Sequence, residues 1–516
     1  MTRMLRRGAN FSDPALHWSV WLPLSLLAGW AQAIAMAAPW NGLPMWWLQL
    51  ISLGLLAWLL LRSDGWRQAA GMAWFFALAW LTATFWWLFI SMHSYGGLPA
   101  PLAVLAVLAL AAVLALYYAA ACGIFRSLAP KRPAACAVLF AALWLAAEMA
   151  RGRWFTGFGW GASGYAHSEG PLALLAPWVG VYGLCAISAG LAMAGPALLL
   201  AGRVRLAAAA VLLLLLVWCL PAGLVAGLSQ PVGRLSVTLL QGNIAQNEKF
   251  EVGSGVPQAL AWYASQLQLS QTALVVAPET AIPVLPQQLP PTYWDGLRQR
   301  FATGEQAALI GIPLGDLRQG YTNSVLGLKP ESNVVWRYDK HHLVPFGEFI
   351  PPFFRWFTQM MSIPLGDFNR GALGQSSFEW QGQRLALNIC YEDLFGEELA
   401  ARFLQLGREP TVFVNTSNIG WFGNSVAIDQ HLNISRLRAL EFERPFIRAT
   451  NTGATVILDH RGKVLQSLPR HQAGVLQGEV EGRSGITPYA WWVARFGLWP
   501  LWLLVAAVLL GLRRRP

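Results

Sequence analysis

The sequence predicts a multispan α-helical membrane domain followed by an α/β domain outside the cytoplasm. Of its 516 residues, 55% are hydrophobic and only 12% are charged, whereas about 25% are charged in an ordinary globular protein. The mean hydropathy is +0.42. Long apolar runs fill both ends of the chain, and a stretch of soluble composition, residues 230–488, lies between them. This composition excludes disorder and a string of soluble domains.

The apolar segments are long enough to cross a membrane, because a helix needs about 20 residues to do so. There are about eight of them, at residues 18–38, 43–61, 68–90, 98–125, 133–150, 171–201, 206–228 and 489–512. We therefore predict a membrane domain of about seven transmembrane helices over residues 1–229. A last helix and a basic tail follow over residues 489–516. Ala31-Gln32-Ala33 resembles a signal-peptide cleavage site, but an uncleaved helix is favoured because the run is one of many spans.

In the membrane part of the chain, most lysine and arginine residues lie in alternate loops between the apolar segments, with Arg151 and Arg153 as the exception. By the positive-inside rule, this asymmetry places both termini in the cytoplasm and residues 230–488 on the opposite side. The formal net charge of +11 comes mainly from these loops, so membrane orientation explains it and no nucleic-acid partner is expected. The basic loop residues are Arg3, Arg6, Arg7, Arg62, Arg67, Arg126, Lys131, Arg132, Arg203, Arg205, Arg513, Arg514 and Arg515.

Residues 230–488 have the size and pattern of one α/β domain. Short runs rich in β-forming residues recur at 235–240, 273–276, 308–312, 324–328, 385–389, 411–414 and 455–458. Helical stretches such as 256–269 and 429–443 lie between several of them. Alternating strands and helices predict a layered α/β sheet.

Three reactive side chains lie after or near these strand-like runs. Glu279 and Cys390 follow runs 273–276 and 385–389, and Lys340 lies in the Y-D-K-H-H motif. Open α/β sheets place their sites at the carboxyl ends of strands. A cysteine there can act as a nucleophile when a carboxylate takes its proton, and an ammonium can stabilise an oxyanion. Taken singly, each has an ordinary alternative: a core cysteine, or a solvated glutamate or lysine.

The motifs around these residues favour the catalytic interpretation. P-E-T-A-I-P, Y-D-K-H-H-L-V-P-F-G-E and N-I-C-Y-E-D occur in that order. The sequence thereby resembles the nitrilase superfamily, whose Glu-Lys-Cys set has this chain order. With its membrane helices, it resembles one branch, the bacterial apolipoprotein N-acyltransferases. Further matches include Q-G-N-I with Gln246 and Lys249 after it, Y-T-N-S, G-W-F-G, R-A-L-E-F-E-R-P, E-M-A-R-G and T-G-F-G-W.

The resemblance implies an αββα sandwich for residues 230–488 and roles for individual residues. It implies that Glu279 is the general base, Lys340 the oxyanion stabiliser and Cys390 the acyl-carrying nucleophile, with the Tyr391 N–H as a second oxyanion donor. The residues that match supporting positions of the active site are Glu348, Tyr391, Glu392, Asn323 and Trp421. Phe250 stands where many members are expected to have Trp, and it is a candidate lipid contact.

The resemblance also implies the reaction. A fatty acyl chain passes from a phospholipid, through a Cys390 thioester, to the N-terminal amine of a diacylglyceryl apolipoprotein, without a cofactor. The enzyme would be a multi-pass protein of the bacterial inner membrane with its catalytic domain in the periplasm. A membrane-tethered nitrilase-like amidase is the enzymatic alternative, but about eight spans exceed what a tether needs. A transporter with an inactive domain is disfavoured, because the catalytic set is complete and the spans nearly lack charges.

Three further features have weaker interpretations. His341-His342 could suggest a metal, but no third ligand follows at a metal-site spacing, so none is expected. Glu148 either pairs with Arg151 or lines a lipid entrance. The aromatic and methionine-rich segment 351–364, with Trp356 and Phe357, is either packed in the core or a mobile lid that touches lipid.

Overall fold

The computed structural model describes residues 16–220, 227–316, 318–332, 334–350 and 368–513. The chain divides into two compact units. The first comprises Met1–Trp86, Pro101–Ala226 and Phe496–Pro516, and the second comprises Trp87–Ala100 and Gly227–Arg495. Segment 351–364, with the lid candidates Trp356 and Phe357, lies outside the described residues.

The first unit consists of apolar helices. Among the described residues, five helices are long and apolar enough to cross a membrane, or six if the bent pair Pro488–Phe496 and Trp499–Leu512 is one span. The five are Trp18–Met36, Trp66–Phe85, Ala100–Leu128, Pro133–Thr156 and Pro171–Leu200. Two shorter apolar helices, Trp46–Leu61 and Val204–Trp218, occupy the remaining predicted segments. The described residues therefore contain five or six helices that could cross a membrane, and the count of eight spans stays a prediction.

Glu148 and Arg151 form an ion pair buried inside the first unit. Their side chains are 2.9 Å apart and fully buried. Arg151 Nε also donates to the Tyr118 hydroxyl at 2.9 Å, and Ser163 Oγ donates to Glu148 at 2.7 Å. The expected pairing is thus present, and it fastens the segment after the helix Pro133–Arg153 to the helices around it. A role in lipid entry stays a prediction.

Twelve strands of the second unit form two six-stranded sheets. In chain order the strands are β1 Gln230–Gln241, β2 Leu274–Val276, β3 Ala307–Asp316, β4 Gly320–Leu328, β5 Trp336–Asp339, β6 Phe378–Trp380, β7 Gln383–Ile389, β8 Val412–Ser417, β9 Phe446–Thr450, β10 Val456–Leu458, β11 Val464–Ser467 and β12 Gly474–Ser484. The sheet orders are β12-β1-β2-β3-β4-β5 and β11-β10-β9-β8-β7-β6.

The two sheets pack face to face and helices cover their outer faces. Val237 and Leu274 of the first sheet share one buried core with Leu387 and Val414 of the second. Helices Gly255–Leu269 and Pro291–Thr303 bury the outer face of the first sheet. On the second sheet, Phe442 of the helix Ala427–Phe442 packs against Phe413 of β8. Side chains alternate in direction along a strand, so successive apolar residues face the other sheet and the covering helices in turn.

Strand direction brings the predicted site residues to one edge of each sheet. β2 and β3 are parallel, and β4 is antiparallel to both β3 and β5, so β2 and β5 end at the same edge. Glu279 and Lys340 follow these two strands. In the second sheet, β7 and β8 are parallel, and Cys390 and Asn418 follow them.

Residues 87–100 differ from the expected organisation, which assigned them to the membrane domain. The helix over the third apolar segment ends at Phe85, and Ser91–Tyr95 form a π-helix. Trp87 Nε1 donates to Gln430 at 3.0 Å, and the Trp87 ring lies 4.3 Å from that of Phe422. Hydropathy alone could not separate this aromatic segment from a span, because tryptophan and phenylalanine suit a protein core as well as a membrane interface.

Candidate active site

The Lys340 ammonium lies between two carboxylates. Its Nζ donates to Glu348 Oε1 at 2.9 Å and to Glu279 Oε1 at 3.3 Å. All three side chains are buried. Burial by itself would lower the pKa of Lys340, but the charges of Glu279 and Glu348 outweigh it and hold that pKa well above its usual range. The site therefore keeps a fixed positive charge at neutral pH.

Asn323 joins the two carboxylates from β4. Its Nδ2 atom donates to Glu279 at 2.6 Å and to Glu348 at 2.7 Å. The second oxygen of Glu279 accepts the backbone N–H of Asn418 at 2.8 Å, and that of Glu348 accepts the N–H of Val344, also at 2.8 Å. These donors fix the orientation of both carboxylates.

Cys390 occupies a strained turn at the end of β7. Its φ of 51° lies in the left-handed region, which non-glycine residues rarely adopt. The side chain is half-buried, and burial together with the Glu279 charge raises the pKa of the thiol to about 12, against the opposing effect of Lys340. The resting cysteine is therefore a neutral thiol that needs a base before it can attack.

Glu392 connects the Cys390 turn to the Lys340 loop. Its carboxylate accepts the backbone N–H of Ile389 at 2.6 Å and that of His341 at 2.6 Å. It also accepts the Tyr338 hydroxyl at 2.9 Å and the N–H of His342 at 3.1 Å. Because these donors come from β5 and the loop after it and from the end of β7, Glu392 links the chain segments that carry the lysine and the cysteine.

Lys249 is a buried amine that sequence analysis noted as a motif match but did not place in the site. Its Nζ donates to the backbone carbonyl of Glu279 at 3.0 Å. Burial lowers the pKa of Lys249 to about 7, and the charges of Glu279 and Cys390 partly offset that effect. The Q-x-x-K spacing after Q-G-N-I was the sequence signal for this residue.

The remaining predicted residues lie around this centre. Tyr391 is buried and directly follows Cys390 in the short 3₁₀ helix Cys390–Leu394. The Trp421 ring lies 5.9 Å from that of Tyr95, three residues after Asn418. Phe250 is 38% exposed, beside the Lys249 ammonium.

The adjacent histidines of the Lys340 loop have separate partners. His341 Nδ1 lies 2.8 Å from the carbonyl of Gly371, and His342 Nδ1 lies 3.0 Å from Glu398. The His342 ring also stacks on Phe395 at 3.5 Å. The two histidines therefore contact different parts of the chain.

Two family profiles match the chain. Residues 32–194 match the apolipoprotein N-acyltransferase N-terminal domain, and residues 236–488 match carbon-nitrogen hydrolase. The apolipoprotein N-acyltransferase of Verminephrobacter eiseniae is 59% identical over 94% of this chain and 94% of its own length. That of Ralstonia nicotianae is 45% identical over 90% and 89%. The solved carbon-nitrogen hydrolase of Helicobacter pylori is 16% identical, with a TM-score of 0.36 over 52% of this chain and 95% of that chain.

Proposed function

The chain belongs to the apolipoprotein N-acyltransferase family, and we propose that it moves a fatty acyl chain from a phospholipid to the N-terminal amine of a diacylglyceryl apolipoprotein through Cys390. The observation that carries this proposal is the position of Lys340, which is held by Glu279 and Glu348 and whose charge acts on Cys390. This arrangement supplies a base, a nucleophile and an oxyanion stabiliser in one buried site.

In the first step, Glu279 takes the thiol proton and the Cys390 sulfur attacks the ester carbonyl carbon of the phospholipid. The negative charge that forms on the carbonyl oxygen is stabilised by the Lys340 ammonium and the Tyr391 N–H. The carbon–oxygen ester bond then breaks, and the proton held by Glu279 passes to the leaving oxygen. The products are a lysophospholipid and a Cys390 thioester.

In the second step, the apolipoprotein amine attacks the thioester carbonyl. Glu279 takes a proton from the amine, an amide bond forms and the carbon–sulfur bond breaks. The proton returns to the Cys390 sulfur. Splitting the transfer at a covalent intermediate lets two large lipid substrates use one site in turn.

The same proposal includes the location of the enzyme in the bacterial inner membrane. The basic loops support cytoplasmic termini and a periplasmic position for residues 230–488. A reporter fused after Leu228 should then report a periplasmic position, and one fused after Arg515 a cytoplasmic one. A cytoplasmic signal from the first fusion would contradict both the span count and the location of the site.

Intact-protein mass spectrometry after incubation with phospholipid vesicles tests the chemistry. Wild type should gain one fatty acyl mass on Cys390, removable by hydroxylamine, and Cys390→Ala should gain none. Cys390→Ser should be nearly inactive, because a hydroxyl is harder to deprotonate than a thiol. A hydroxylamine-labile acyl group on Cys390→Ala would place the nucleophile elsewhere.

Glu279→Gln tests the base separately from the nucleophile. The amide fits the same space but cannot take a proton, so the thiol, with its pKa near 12, should stay unacylated. Unchanged acylation by a correctly folded Glu279→Gln protein would remove Glu279 from the mechanism and leave Cys390 in place.

A further inference from the structure

Behind the Cys390 turn lies a fully buried cluster of polar residues that the two acyl-transfer steps do not use: Asp393, His431, Ser435 and Arg448. We refer to it as the Asp393 cluster. Asp393 Oδ1 lies 2.9 Å from His431 Nε2, and Asp393 Oδ2 lies 3.0 Å from Arg448 Nη1. Ser435 donates to Asp393 and also contacts Arg448.

The contacts within the Asp393 cluster determine which nitrogen of His431 carries the proton. Arg448 Nη2 lies 2.9 Å from His431 Nδ1. A guanidinium nitrogen only donates, so Nδ1 must accept and carries no proton. The proton therefore resides on Nε2. Burial lowers the pKa of His431, the Asp393 charge opposes this and the Arg448 charge adds to it, so the ring is neutral at pH 7.

The Nε2–H of His431 is directed at two acceptors. One is Asp393 Oδ1 and the other is the backbone carbonyl of Cys390, at 3.1 Å. The same carbonyl accepts Asn415 Nδ2, also at 3.1 Å. Two side-chain donors thus hold the carbonyl of a residue whose left-handed conformation is strained and persists only where its surroundings fix it.

The Cys390 carbonyl is part of the peptide unit that also contains the Tyr391 N–H. A trans peptide unit is planar, and its C=O and N–H point in opposite directions. Donors that fix the carbonyl on one side therefore fix the direction of the N–H on the other. The N–H so directed is the second oxyanion donor of the proposed mechanism.

We propose that His431, together with Asn415, is a positioning residue that orients the Cys390–Tyr391 peptide so that its N–H faces the developing oxyanion. This inference rests on the proposed function, because it assigns the N–H to the acyl carbonyl oxygen. Asp393 and Arg448 hold His431 in the neutral tautomer that can donate.

The test compares His431→Leu with His431→Gln in the full-length protein. Leucine has a similar volume and no donor, whereas the glutamine amide can donate from near the Nε2 position. Acylation of Cys390 by phospholipid should slow about 10²–10³-fold in His431→Leu, the loss seen when one oxyanion donor is removed. The acylation rate of His431→Gln should exceed that of His431→Leu by at least about tenfold. Asn415→Leu removes the other donor and gives a second variant if His431→Leu fails to fold.

Alkylation of Cys390 by iodoacetamide, followed by mass spectrometry of its peptide, separates orientation of the N–H from placement of the thiol. Alkylation displaces iodide and forms no oxyanion. The proposal expects its rate in His431→Leu to stay within about threefold of wild type, far from the 10²–10³-fold loss in acylation. Equal losses in both reactions, or wild-type acylation by His431→Leu, would overturn it.

A p-nitrophenyl fatty ester keeps this inference separate from the proposed function, because its transfer to Cys390 also passes through an oxyanion. If wild type accepts this ester but not phospholipid, the proposed substrate is wrong and the role of His431 is still measured. If His431→Leu accepts the ester as fast as wild type does, the positioning role is wrong.

Discussion

The Lys340 ammonium is anchored more closely by Glu348, at 2.9 Å, than by the proposed base. Glu279 lies at 3.3 Å from the same nitrogen. Both carboxylates hold the lysine, and in the proposed mechanism only Glu279 also moves the proton. This division leaves Glu279 free to be protonated during the reaction without releasing Lys340.

Replacing Glu348 with glutamine should therefore slow catalysis without removing any reacting group. Lys340 would keep its charge but lose its shorter ion pair, so we expect acylation of Cys390 to slow about 10²-fold, the lower end of the loss of an oxyanion donor. Single-turnover rates with phospholipid vesicles measure this. A loss as complete as that of Glu279→Gln would mean that Glu348 takes a direct part in proton transfer.

Replacing Lys340 with methionine should remove the oxyanion charge while keeping the side-chain length. We expect a loss of about 10²–10³ in the acylation rate. Arg337→Met is the matched control, because Arg337 belongs to strand β5, which Lys340 follows, and its side chain is 49% exposed. Similar rates for both variants would show that the Lys340 charge does not act on the transition state.

The lowered pKa of Lys249, about 7, predicts a pH-dependent stability difference. The unfolded lysine holds its proton up to about pH 10.4, so between pH 7 and 10 the unfolded state binds more protons and stability rises with pH. Below pH 7 Lys249 is charged in the folded state as well, and burial of that charge then lowers the free energy of unfolding by its full amount. Lys249→Met should therefore be more stable than wild type. The difference in their free energies of unfolding should be largest at pH 6 and should shrink toward pH 9.5.

Thermal unfolding at several pH values measures this difference, and its slope with pH is the test. Lys463→Met is the control, since Lys463 is exposed. A difference between Lys249→Met and wild type that does not change with pH would mean that Lys249 keeps an ordinary pKa.

The lid hypothesis for Trp356 and Phe357 stays a prediction from the sequence. Changing both to serine should slow thioester formation from phospholipid vesicles while the thermal unfolding temperature stays close to that of wild type. The reason is that aromatic side chains are favoured at lipid interfaces. A large drop in unfolding temperature would instead favour core packing, and unchanged rates would leave the pair without a role in lipid binding.

The seven strand-like runs were predictable because their apolar residues form continuous, buried stretches. Five of the twelve strands, β5, β6, β9, β11 and β12, lie outside the predicted runs. Among them, β11 is mostly exposed and β12 mixes charged and small residues at a sheet edge. The strand conformation of β11 and β12 depends on pairing with β10 and β1, which a local pattern does not contain.

The site was predictable only where a motif surrounds a reactive residue. Glu279, Lys340 and Cys390 follow strand ends, and the chain order of their motifs carried the assignment. His431 had no such signal, because it lies inside the helix Ala427–Phe442 and reaches Cys390 only through the packing of that helix on the sheet. Glu392 matched a motif, but its contacts with both strand ends appear only in three dimensions.

Those contacts lead to the last prediction, on Glu392→Gln. The carboxylate accepts hydrogen bonds from Ile389, His341, His342 and Tyr338. Glutamine has one acceptor oxygen, and its amide hydrogens would face N–H groups, so at least one buried donor is left unsatisfied. We expect a loss of about 2–3 kcal/mol in the free energy of unfolding, which lowers the unfolding temperature by about 4–12 °C in a domain of this size.

The Glu392→Gln protein should also acylate more slowly, because the Lys340 loop and the Cys390 turn lose their shared acceptor. Glu479→Gln is the control, since the side chain of Glu479 is 62% exposed and its ion pair with Arg234 is at the surface; exposed pairs contribute about 0–1 kcal/mol. If Glu392→Gln unfolded at the wild-type temperature and kept the wild-type rate, its four hydrogen bonds would be dispensable. The spacing of lysine and cysteine would then depend on the sheets alone.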